Sequence, residues 1–179
     1  MSSSVVIREP RSFEEYRAGL RVIDAAWQAA FGDIVTDAGM ARMASLPDSP
    51  AAQRRFESFG AVAERIGLVA VRAGTVVGAG SAVWSPEHTK PFVDRGDAEI
   101  RTLYTHPDRW GEGIGTLLLE ELDAGIPAQY DGIVLETFRD NEMGRGFYES
   151  RGFTLVDTAE FEFAGYSYPT VVYRRERRQ

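Results

Sequence analysis

Ala98-Glu99-Ile100-Arg101-Thr102-Leu103-Tyr104-Thr105-His106-Pro107-Asp108-Arg109-Trp110-Gly111-Glu112-Gly113-Ile114-Gly115-Thr116-Leu117-Leu118 decides how this chain folds. Ala98 to Thr105 reads as a strand, running into Pro107 and then a turn with glycines at alternate positions, Gly111, Gly113 and Gly115. Ile114, Leu117, Leu118 and Leu122 recur at helical spacing, and Gly125 and Pro127 end that helix. A strand that turns through glycines into a helix gathers free backbone N–H groups at one point. The helix dipole adds partial positive charge there. Glycine removes the Cβ that would keep a ligand off the backbone. The spacing therefore predicts a pyrophosphate grip at Arg109-Trp110-Gly111-Glu112-Gly113-Ile114-Gly115-Thr116.

Two nucleotide motifs compete for this turn. The nucleotide P-loop needs a lysine beside its last glycine, and Lys90, the only lysine, is far from it in sequence. The dinucleotide fingerprint G-x-G-x-x-G is nearer, and Glu136 ends the next strand about where a ribose-binding acid would stand. But the third glycine comes one position early, six residues separate strand from glycines, and the unit follows a hairpin instead of lying in a run of βαβ units. A dinucleotide-binding protein stays a weaker alternative.

Composition narrows the function. The 179 residues are 44% hydrophobic and 26% charged, an ordinary globular balance that points to one domain, with loose tails at 1–4 and 176–179. With no cysteine and only His88 and His106, thiolate and histidine metal sites are excluded, and no metal is expected. A net charge of −7 argues against nucleic acid and would attract cationic amines. No apolar run approaches membrane length, and the first eight residues have neither the basic start nor the apolar core of a signal peptide, so a cytoplasmic protein with no membrane partner is expected. Nineteen of the twenty basic residues are arginine, and Arg174-Arg175-Glu176-Arg177-Arg178 reads as a solvated tail.

Elsewhere Val5–Ile7 reads as a strand. Ser12 and Glu15 form a capping box before an amphipathic helix carrying Phe13, Tyr16, Leu20, Ile23, Trp27 and Ala30. Residues 32–50 look irregular. Ser49-Pro50 starts a second helix, which Phe56, Phe59, Ala63 and Ile66 carry to Gly67. Leu68–Arg72 and Thr75–Trp84 flank Ala73-Gly74 as a hairpin, and Ser85–Gly96 is a loop. Gly132–Phe138 is a buried strand, Asn141 caps a short helix that Gly152 stops, and Thr154–Phe163 and Pro169–Arg175 are strands. The order is β-α-α-β-β-β-α-β-α-β-β.

The opening stretch resembles motif A of the GCN5-related N-acetyltransferases (GNAT). Asn141-Glu142-Met143-Gly144-Arg145-Gly146-Phe147-Tyr148-Glu149-Ser150-Arg151-Gly152-Phe153 resembles that family's N-x-x-x-x-x-(F/Y)-Y-x-x-x-G-F segment. The order of elements matches from about Val5 to Arg175. The resemblance implies an α/β (α+β) fold: a mixed, mostly antiparallel sheet of six to seven strands, flanked by about four helices and splayed between the fourth and fifth strands, with acetyl-CoA in the opening. It implies that backbone groups of Leu103, Tyr104 and Thr105 pair with the pantetheine arm and polarise the thioester carbonyl. Arg109 to Thr116 would hold the pyrophosphate, Asn141 would contact the cofactor, and Tyr148 would stand near its sulfur. Trp110 stands where the family usually has Gln or Arg, so the grip should rest on backbone N–H groups, with Arg109 next to it as a source of charge.

The reaction implied is acetyl transfer to a primary amine of a small molecule or peptide. At neutral pH only roughly one alkylamine in 10³ is unprotonated, so a proton must leave. Glu99 and Glu136 are the carboxylates on the two splayed strands and the candidate bases, with a water chain as the alternative. Tyr148 is the candidate acid for the departing thiolate. His106 reads as structural. A non-catalytic acyl-CoA-binding domain of the same fold is the alternative function. Gln28–Pro50 and Thr154–Arg175 should form the acceptor surface, with Trp27, Phe31, Trp84, Phe161, Phe163, Tyr166 and Tyr168 as candidate contacts or core, in a monomer or homodimer.

Overall fold

Ser12 starts the first helix, α1 (Phe13–Ala30), with its side chain accepting from the Glu15 amide. The Glu15 carboxylate reaches back to Arg11 N at 2.7 Å and pairs with both terminal nitrogens of Arg8 at 2.7 and 2.8 Å, stapling the helix to β1 (Val5–Arg8). The computed structural model describes residues 4–61 and 63–177. Two more helices, α2 (Asp37–Ser45) and α3 (Pro50–Phe59), precede the hairpin β2 (Arg65–Arg72) and β3 (Thr75–Val83). Ala73 and Gly74 turn this hairpin in the left-handed region, at φ 48° and 78°. Then come β4 (Asp97–Thr105), α4 (Ile114–Gly125), β5 (Gly132–Phe138), α5 (Glu142–Glu149), β6 (Thr154–Phe163) and β7 (Tyr166–Glu176).

All seven strands join one sheet in the order β1-β2-β3-β4-β5-β7-β6. Every pairing is antiparallel except β4 with β5. That parallel ladder runs only from Asp97 opposite Gly132 to Ile100 opposite Leu135. Beyond it β4 continues to Thr105 and β5 to Phe138 without a mutual partner, which is the splay expected from the sequence.

Two cores hold the layers. Leu118, Leu119 and Leu122 of α4 are 0–2% exposed and pack on the sheet with Ile100, Ile133, Leu135 and Tyr173. Each buried leucine contributes about 1.5–3 kcal/mol. The helix can settle this closely because β3 carries glycines: a Cβ at Gly78 would lie 2.8 Å from Leu118, and one at Gly80 2.9 Å from Leu122. The second core joins α1 to the far half of the sheet through Trp27, Phe31, Met40, Phe138 and Tyr168. Trp84 belongs to the first core, against Tyr130, while Tyr166 is exposed.

Four expectations are corrected. Residues 37–45, expected to be irregular, form α2, because Thr36 caps it and Met40 packs into the second core; Tyr168 fixes its start through Thr36 Oγ1 at 3.0 Å. With α2 the described residues hold five α-helices, not four. α3 stops at Phe59 instead of running to Ile66, which instead pairs with Ala82 in the sheet. β7 begins at Tyr166, not Pro169, and runs through Glu176, so the supposed tail from Arg174 is largely structure. Arg177 is fixed as well: its guanidinium bonds Asp123 Oδ1 at 2.6 Å and the carbonyls of Asp123, Ile126, Pro127 and Tyr130 at 2.7–2.9 Å. Residues 1–3 and 178–179 of the expected loose tails lie outside the described residues.

Two outcomes follow. Arg177→Ala strips the α4–β5 connection of its donors and should cost about 2 kcal/mol, read as a lower urea midpoint. Arg8, and then the Arg11 amide, pull the Glu15 carboxyl from 4.5 down to about 2. That contribution is complete above pH 4.5 and is lost as the pH falls through about 2. The stability difference between wild type and Glu15→Gln should therefore shrink across that window in urea titrations at stepped pH.

Candidate functional site

A cleft of about 880 Å³ opens where β4 and β5 part. Leu103, Tyr104 and Thr105 line it from β4, Glu136, Thr137 and Phe138 from β5, and Tyr148 from α5. The glycine-rich turn is at its wall through Arg109, Trp110, Gly111, Gly113, Ile114, Gly115 and Thr116, and Asn141 lines it too. The sequence-predicted residues thus converge, except that the Glu112 and Glu99 side chains lie outside the lining.

The turn is built for an anion. Gly113 is the N-cap of α4 at φ 80° and provides no side-chain cap. Among the described residues no acceptor meets the amides of Ile114, Gly115 or Thr116, which are the unpaired donors of a first helical turn. A Cβ at Gly111 or Gly113 would touch nothing within 4 Å, so the space over the backbone is open, while φ 80° at both positions favours glycine. Pyrophosphate oxygens fit this donor set. Trp110 turns its indole N–H onto the Thr105 carbonyl at 3.0 Å, bracing the turn against β4. His106 caps the preceding 3₁₀ turn, its Nδ1 accepting from Asp108 N.

Glu112 would repel an anion here if unpaired. Arg72 forms an ion pair with it, and Arg109 adds a contact at 3.6 Å; together they hold its carboxyl below the usual range, Arg72 contributing most. Arg151 adds a further cation at the cleft wall, stacked 3.6 Å above the Phe147 ring and donating to Thr116 Oγ1 at 3.1 Å. Sequence reading missed Arg72 and Arg151. Arg72 lies 40 positions before Glu112, too far for any spacing rule, while Arg151 was within the quoted Asn141–Phe153 segment.

The two glutamates part company. Glu99 is 1% exposed and its carboxylate is occupied: Oε2 accepts from Lys90 N at 2.9 Å and Oε1 pairs with Arg101 Nε at 2.8 Å. It anchors the 85–96 loop. Glu136 faces the cleft, takes the Thr170 hydroxyl at 2.5 Å and forms an ion pair with Lys90 Nζ. Asn141 spends its side chain on structure: Oδ1 caps α5 at Gly144 N and Nδ2 donates to Thr137 Oγ1, both at 3.0 Å.

Tyr148 stands edge-on to Phe147 and Phe153, with ring centroids at 5.2 and 5.6 Å. Burial, reinforced by the neighbouring Tyr104 phenol, pushes its phenol well above the usual tyrosine range. Among the described residues its hydroxyl has no hydrogen-bond partner. Trp27, also in the lining, sets its buried indole N–H beside the Tyr104 phenol, whose pKa burial raises.

The profile of the acetyltransferase (GNAT) family matches residues 24–153, most of the chain. The chain belongs to this family. No curated protein matches it. Among solved structures, PaiA N-acetyltransferase from Thermoplasma acidophilum in complex with coenzyme A superposes with a TM-score of 0.74 at 20% identity, covering 97% of this chain and 99% of that one. A GCN5-related N-acetyltransferase from Rhodopseudomonas palustris gives 0.71 at 19% identity, over 98% and 96%. An acetyltransferase from Thermus thermophilus gives 0.68 at 17%, over 98% and 99%. These identities show a shared fold.

Removing the Arg72 side chain leaves Glu112 charged beside the start of α4. Arg72→Ala should weaken binding of inorganic pyrophosphate roughly three- to fivefold in calorimetric titration, and adding Glu112→Gln should restore it.

Proposed function

We propose that this protein is an acetyl-CoA-dependent N-acetyltransferase acting on a primary amine of a small molecule or peptide. The observation that carries the reading is the meeting of Glu136 and Tyr148 in one cleft whose wall is the uncapped start of α4. That the Thermoplasma acidophilum relative was crystallised with coenzyme A supports the donor.

Bound acetyl-CoA supplies an activated acyl thioester. The amides of Ile114, Gly115 and Thr116 hold its pyrophosphate, with Arg109 and Arg151 supplying charge nearby. The edge of β4 beyond Ile100, unpaired on the β5 side, takes the pantetheine arm, with Leu103 backbone groups set to polarise the carbonyl. Glu136 is the base that receives the proton of the incoming amine, because it lines the cleft, whereas Glu99 is buried outside the lining and holds the neighbouring loop. Tyr148 is the acid. Its raised pKa keeps it protonated across the neutral range, ready to protonate the departing sulfur. Ile23, Trp27, Phe31 and Met43 of α1, α2 and their connection form the apolar wall against which the acceptor rests.

A binding module of the same fold would hold coenzyme A and turn nothing over. Thiol release measured with a panel of amines separates the two: binding without release in the whole panel favours the module. Tyr148→Phe should lower kcat roughly 10²-fold with coenzyme A affinity unchanged. An unaltered kcat would remove Tyr148 from the acid role.

A further inference from the structure

Lys90 is the chain's only lysine among twenty basic residues, and it lies in the cleft. Its ammonium is ion-paired with the Glu136 carboxylate and lies 5.2 Å from the centroid of Phe161 and 5.8 Å from that of Phe92. Its backbone is fixed from below, where the Lys90 amide donates to the buried Glu99, itself locked by Arg101. The side chain therefore presents a primary amine at the candidate base, between aromatic faces, in the same cleft as Leu103 and Tyr148. An ion pair needing only charge would be served as well by arginine, which this chain uses at nineteen other positions. Arginine stays protonated; lysine can give up a proton and become a nucleophile.

We propose that Lys90 is an internal acceptor and that the protein acetylates itself at this position. The inference rests on the acetyltransferase reading above. Glu136 takes one proton from the Lys90 ammonium. The freed nitrogen pair forms the C–N bond to the acyl carbon, and the C–S bond breaks with its pair on sulfur. The sulfur takes the Tyr148 proton. Tyr148 recovers a proton from the new amide nitrogen, and Glu136 releases the first to solvent. The products are N-acetyl-Lys90, free thiol and one proton. The acetylated side chain is neutral, so the ion pair with Glu136 is lost and the carboxylate keeps only Thr170.

The full chain is incubated with acetyl-CoA and followed by intact mass and peptide mapping, with coenzyme A binding and thiol release to added amines recorded on the same sample. Expected is one acetyl group per chain, on Lys90, formed at a rate independent of protein concentration. The rate should fall roughly 10²-fold in Glu136→Gln and to background in urea-unfolded wild type. Because the concentration series and the unfolded control use wild type, the test survives if that variant misfolds. Turnover of added amines with Lys90 unmodified overturns the inference and keeps the enzyme. Acetylation equally fast in urea is chemical acylation and overturns it as well. Failure to bind coenzyme A overturns both readings.

Discussion

Parallel strands that stop pairing halfway along their length leave peptide groups open and a wedge of space between two sheet halves. Here β4 and β5 share only the ladder from Asp97–Gly132 to Ile100–Leu135. The closed end is held by the ion pair of Arg174 with the buried Asp97, at 2.8 and 3.0 Å. The open end is kept apart by filled space: Tyr104, Trp27 and Phe138 on one face, Phe147 and Tyr148 on the other. Were the ladder to continue, the backbone edge, the cleft and the approach to Tyr148 would vanish together.

Charge is arranged against the net balance. The protein is acidic overall, yet among the described residues the cleft is lined by Arg55, Arg65, Lys90, Arg101, Arg109 and Arg151, with Glu136 as the single carboxylate. Glu112, within the glycine-rich turn, is neutralised by partners, Arg72 above all. Net charge therefore says little about which ligand such a cleft accepts; local pairing decides it.

The glycine-rich turn shows the division of labour between glycine and its neighbours. Positive φ at Gly111 and Gly113 sets the path of the chain, and the glycines on β3 seat α4 so that its first turn lies at the opening. Trp110 ties the turn to the end of β4.

Much of this was legible in sequence because it is local. Capping at Ser12, Ser49 and Asn141, the Ala73-Gly74 hairpin, the glycine turn and the apolar stripe of α4 depend on residues within a few positions of one another, where periodicity and φ requirements act directly. What failed was long-range. α2 has only a weak stripe and is held by Tyr168, 132 positions from Thr36. Ile66 had helical spacing but was claimed by the sheet, where its backbone pairs with Ala82. The arginine-rich end read as a tail until Arg177 met the orphan carbonyls after α4. The sequence by itself thus determined the order of elements apart from α2, and the path of the glycine-rich turn into α4. Only the tertiary structure decided that Glu99 anchors a loop while Glu136 faces the cleft, because a strand side chain's surroundings come from elements distant in the chain.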